Sequence, residues 1–206
     1  MRSPLNAISL GGLSYSRCAS VRLIVALSAV LVSRTAPAAD ISNDKCRSQI
    51  PSALRDVLKA RHPGHRLPLV TDSPSEYVDG SRQHGGNRCL SVATGDYDGD
   101  GHPEFAVLMR PKRNGDVVLV EARATGAKWR LTTLGNFDAS VSFVKTGKPG
   151  KYERSEVVYA EGEPFGAGEV HLFMSDNPCV IIGQHGSWAK AYCLGPKGWR
   201  YIWISD

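Results

Sequence analysis

The chain has 206 residues, 42% of them hydrophobic, enough for one domain with its own core and too few for several. Its formal charge of +5 comes from 25 Lys and Arg against 20 Asp and Glu, but Arg2, Arg17, Arg22 and Arg34 all lie in an acid-free stretch over residues 1–39. The remainder is near neutral, so the composition does not support the clustered basic face that binds nucleic acid, and no nucleic acid is expected among its partners.

Residues 1–39 predict a signal peptide: Arg2, Arg17 and Arg22 form the basic region, "LIVALSAVLV" (23–32) the apolar core, and Ala36, Ala38 and Ala39 the small residues before cleavage. That apolar run is half of what a bilayer span needs, roughly 20 residues. Residues 40–206 then read as a single secreted α+β domain, periplasmic or secreted, with no membrane span after signal cleavage. Cleavage removes Cys18 and leaves Cys46, Cys89, Cys179 and Cys193. An even number in an oxidising compartment predicts two disulfides. Of the possible pairings, Cys46 with Cys89 would tie the N-terminal helix to the sheet, and Cys179 with Cys193 would close a short loop between adjacent strands. No C-x-x-C spacing supports a metal instead.

"CRSQIPSALRDVLKARHPG" places Ile50, Ala53, Leu54, Val57 and Leu58 at the spacing of an amphipathic helix, which Pro63-Gly64 stops. Beyond it, short β-branched and aromatic runs separated by turn residues predict strands over 88–95, 104–110, 116–123, 127–133, 139–144, 155–160, 169–174, 179–183, 188–194 and 199–204. Connections such as "RNGD" and "GPKG" are too short for parallel crossovers. The expected fold is therefore α+β and β-rich, an N-terminal amphipathic helix followed by an antiparallel β-meander. "RPKRNG" (110–115) reads as a solvated hairpin turn. In "GWRYIWISD", Trp199, Tyr201 and Trp203 alternate onto one face. That face, extended by Trp188 and Tyr192, reads either as core or as an aromatic binding platform for a protein or polysaccharide.

The sharpest signal is "GDYDGDGHPEFAVL" (95–108). Asp96, Asp98 and Asp100 alternate, Gly101 follows, and Glu104 stands at the ninth position of the loop. Calcium takes six to eight oxygens at about 2.3–2.6 Å, and carboxylates at positions 1, 3, 5 and 9 with the His102 carbonyl at 7 wrap one ion. An EF-hand needs a bidentate Glu at position 12, where Val107 stands. A strand-loop-strand hairpin fits instead, with Ca²⁺ as its cofactor. A solvated acidic turn is the alternative, though like charges a few Å apart cost about 1 kcal/mol per pair even in water.

Residues 91–111, "SVATGDYDGDGHPEFAVLMRP", resemble the calcium loops of FG-GAP and VCBS-type repeats through Asp96, Asp98, Asp100 and Gly101. They differ at Glu104, where that family usually has Asp. The resemblance implies a metal set of Asp96, Asp98, Asp100, Glu104 and the His102 carbonyl. It does not imply a propeller, because the loop occurs once and a propeller needs at least four blades. The wider layout resembles small secreted bacterial domains with one such hairpin and an aromatic strand ending in Ser-Asp.

Candidate catalytic groups are sparse. None of the six histidines forms a spaced metal-ligand set. His62 and His65 suit a helix C-terminus, His84 lies in the loop-like "SRQHGGNR", and His171 in "EVHLFM" reads as an exposed strand residue. His185 and Ser187 in "GQHGSWAKAY" are close in sequence but do not form a nucleophile elbow. Glu161, Glu163 and Glu169 flank a Gly-rich stretch that offers paired carboxylates. Two functions are expected from these features. One is a calcium-binding, disulfide-braced binding or inhibitor-type module without catalytic activity. The other is a small secreted hydrolase acting on cell-wall or polysaccharide substrate.

Overall fold

A computed structural model describes residues 44–155 and 166–204. The expected signal peptide, Glu161, Glu163, all but the first residue of the strand expected over 155–160, and the terminal Ser205-Asp206 lie outside them.

Where the sequence predicts one helix, two form: α1 (Lys45–Gln49) and α2 (Ser52–Arg61). Pro51 separates them, because proline lacks a donor and pushes the residue before it into extended backbone. Ile50 adopts φ −94°, ψ 121° accordingly. Asp44 caps α1, its Oδ1 accepting from the Cys46 amide at 2.9 Å, and its Oδ2 accepts from Val70 N–H at 3.0 Å. Strand β1 (His65–Arg66) and helix α3 (Ser75–Gln83) follow.

The strands do not form a meander. One antiparallel sheet orders β1–β3–β4–β5, with β2 (Val92–Gly95) sharing the edge of β3 (Glu104–Pro111) that β1 also uses; β4 is Val117–Thr125 and β5 Lys128–Phe137. A second sheet orders β11–β10–β9–β6, from β6 (Phe143–Gly147), β9 (Cys179–Gln184), β10 (Trp188–Gly195) and β11 (Gly198–Trp203). Between β6 and β9 in the chain lies a separate ribbon of β7 (Gly150–Glu153) and β8 (Leu172–Ser175).

The reason is the apolar content of β3 and β4. "FAVLM" and "VVLV" are apolar on consecutive positions, so both faces of the first sheet must be covered. On one face Phe105, Val107, Met109, Val118 and Val120 pack with Leu54 and Leu58 of α2. On the other, Ala106, Leu108, Val117 and Leu119 meet Val144, Val180 and Ile182 of the second sheet. The outer face of that sheet, around Ile181 and Ala191, is covered by Tyr152 and Phe173 of the ribbon. A meander buries one face; this stack of helices, sheet, sheet and ribbon buries four.

Cys46–Cys89 ties α1 to the segment before β2, and Cys179–Cys193 joins the paired strands β9 and β10. Arg110, 7% exposed, reaches across the sheets, its Nη1 donating to the Val141 carbonyl at 3.1 Å.

Candidate metal loop and aromatic cleft

Strands β2 and β3 pair from Val92↔Val107 to Gly95↔Glu104, so residues 96–103 form the hairpin loop. Tyr97 anchors it. Its side chain is fully buried, the ring meets Trp199 at 6.1 Å, and the hydroxyl bonds the Thr146 hydroxyl at 3.1 Å. Tyr97 is in the core, whereas its neighbours Asp96 and Asp98 are half-buried. Ligand atoms of Asp96, Asp98, Asp100 and Glu104 all lie within 4.8 Å of one another, a cluster that could hold a metal ion.

Backbone amides tie the loop to its own carboxylates. Asp96 accepts from Gly99 N–H at 2.8 Å and Gly101 N–H at 3.0 Å, and Asp100 accepts from His102 N–H at 2.8 Å. Gly99 and Gly101 have φ of 77° and 85°, values at which a Cβ is strained. A Cβ at Gly99 would also meet the Asn177 side chain at 2.7 Å.

Glu104 is 1% exposed and accepts from Tyr97 N–H at 2.6 Å. Burial pushes its carboxyl up to about 7, and the charge of Asp98 adds to the shift while the Tyr97 amide and Arg123 oppose it. A cation among these oxygens would reverse that balance by favouring the charged form. The sequence reading missed Arg123, which lies on β4 and contacts the Asp98 carboxylate. Its Nε also lies 3.5 Å from Oε1 of Glu121, which is itself 1% exposed. The only sequence signal was a single Arg in the strand "VLVEARAT".

The other candidates are elsewhere. His84 ends α3, and His185 lies in the turn between β9 and β10. Both line one cleft of about 610 Å³ between α3, β6 and that turn, and no residue of the acidic loop lines it. His185 stacks on Tyr77 at 4.0 Å with ring planes 21° apart and meets Phe143 at 4.7 Å. Its Nε2 is buried without a hydrogen-bond partner among the described residues. Burial, with help from Lys145, holds the ring's pKa below the usual histidine value. Ser187 is exposed on the same turn and His171 is exposed before β8. Glu169 is buried beside Arg154 Nε at 3.4 Å and accepts from Gly166 N–H at 3.0 Å.

Trp199 and Tyr201 of the C-terminal strand pack against the core between the sheets. Trp199, Tyr201 and Trp203 are half-buried, as is Trp188. Tyr201 meets Tyr192 at 5.5 Å, and Trp203 meets Trp188 at 5.6 Å. Lys190 Nζ lies 4.0 Å from the centre of the Trp203 ring. Trp188 also reaches the cleft beside α3.

No family model, curated protein or solved structure matches the chain.

Proposed function

We propose that the protein is an exported calcium-binding, disulfide-braced binding module in which the ion stiffens a hairpin and performs no chemistry. The observation that carries this reading is the convergence of four carboxylates within 4.8 Å at one hairpin, with the three aspartates at alternating positions and left-handed glycines between and after them. With the His102 carbonyl as a fifth donor and bidentate carboxylates or water completing the set, the loop suits the six to eight oxygens of calcium. Magnesium's tighter octahedron rarely accepts such an all-protein cage. Two disulfides fit an oxidising compartment, and no helix among the described residues is long and apolar enough to cross a membrane.

The hydrolase alternative would draw support from a cleft that joins the acidic loop to a histidine. Asp98 and the histidines His84 and His185 line different clefts, so the binding reading is preferred.

Extracellular calcium modules bind at roughly 10⁻⁴–10⁻³ M. At a tenfold excess over Kd, binding to the folded state alone adds about 1.4 kcal/mol, which for a domain of this size raises Tm by about 3–6 °C. Melting curves with calcium and with chelator, together with isothermal calorimetry, test this. No heat of binding and an unchanged Tm would leave a solvated acidic turn.

A further inference from the structure

We infer that the cleft between α3 and the β9–β10 turn binds a neutral saccharide. The inference rests on the binding-module reading and supplies its ligand. On α3, Tyr77, Gly80, Ser81 and His84 follow the i, i+3, i+4, i+7 spacing that normally carries a helix's apolar core stripe. Here that face lines an open cleft; the buried residue of α3 is Val78.

Gly80 is the telling position. A Cβ there would meet nothing within 4 Å, and its φ is not among the positive values. Neither packing nor backbone conformation requires a glycine, and mid-helix glycine weakens a helix. Its missing side chain does one visible thing, which is to leave the cleft open.

The lining then identifies the ligand class. Tyr77, His185 and Phe143 form a row of rings drawn from α3, the β9–β10 turn and β6, with Trp188 close by. Tyr77 and Trp188 each join an apolar ring to a polar tip, which suits the C–H faces and hydroxyls of a sugar. Hydrogen-bonding groups line the same cleft. The Nδ1 of His84 donates to the Gly80 carbonyl at 2.8 Å, which leaves Nε2 as the second polar atom of that ring. Gln184 offers both donor and acceptor. Glu76 and Lys145 are the charged residues of the lining and they cancel, so an anion or a cation gains little. A volume of about 610 Å³ falls in the range of small-ligand sites. An uncharged ligand rich in hydroxyls and with apolar faces matches all of these features.

The test uses the exported, disulfide-bonded chain, with cellobiose, maltose, N,N′-diacetylchitobiose and glucose as probes and glucuronate as the anionic control. Binding is read by calorimetry and by tryptophan emission. At least one neutral probe should bind saturably and more tightly than glucuronate. Gly80→Leu should weaken that binding at least tenfold with Tm unchanged or higher, and Tyr77→Ala gives a second variant on the exposed rim if the first folds poorly. Calcium titration of the same samples keeps the two readings apart, since calcium heat without sugar heat overturns the cleft alone. No binding of any neutral probe, tighter binding of glucuronate, or full binding by the variants overturns the inference.

Discussion

Asp98 serves the loop in two ways, and the pair it forms changes what its removal should do. From the sequence, neutralising one carboxylate of a crowded loop relieves repulsion at little expense. In the structure Asp98 is paired with Arg123, both side chains being 17% exposed, so its loss leaves a half-buried guanidinium short of a partner. Asp98→Asn should abolish the calcium-dependent rise in Tm and also cost the ion-free protein about 1–2 kcal/mol, read by urea denaturation in chelator. Glu104 sets the pH dependence. Its carboxyl is pushed up from 4.5 to about 7 in the ion-free fold, so the folded state holds a proton that the unfolded chain has released. That contribution is fully present below pH 4.5 and is lost as pH rises through about 7. Calcium needs the carboxylate, so affinity should rise over the same interval. The gain in Tm from calcium should therefore be larger at pH 8 than at pH 6; equal gains would remove Glu104 from the ligand set.

At the scale of elements, the two disulfides act on different connections. Cys46–Cys89 closes 43 residues and joins α1 to the sheet, whereas Cys179–Cys193 closes 14 and links strands that already pair. By loop entropy the first is worth about 4 kcal/mol and the second about 3. The double variant Cys46→Ala/Cys89→Ala should lose more stability in denaturant than Cys179→Ala/Cys193→Ala, and the reverse order would show that α1 is held by packing alone. Helix α3 was not legible in the sequence. "SEYVDGSRQ" lacks an apolar stripe because its inward-looking face borders a cleft, and a reading based on hydrophobic period cannot see a helix that buries one residue, Val78. The split at Pro51 was in plain view as a residue, but choosing between a first-turn proline of one helix and a break between two required the capping of α1 by Asp44.

Across the molecule, β3 and β4 are covered on both faces and paired on both edges. Their amides, such as those of Val107, Leu108 and Val120, should exchange most slowly with solvent, while the loop over 96–103 exchanges fast without calcium and slowly with it. Exchange in β3 as fast as in the β7–β8 ribbon would contradict the layered core. The sequence by itself determined the acidic loop, the cysteines available to bridge and most strand positions, because ligand spacing, cysteine number and β-branched runs are local in the chain. Only the tertiary structure decided which strands pair, that the aromatic strand faces another sheet, that Arg123 reaches Asp98, and that Tyr77 and His185 meet across a cleft. Those outcomes depend on which apolar face covers which, and residues far apart in the chain settle that together.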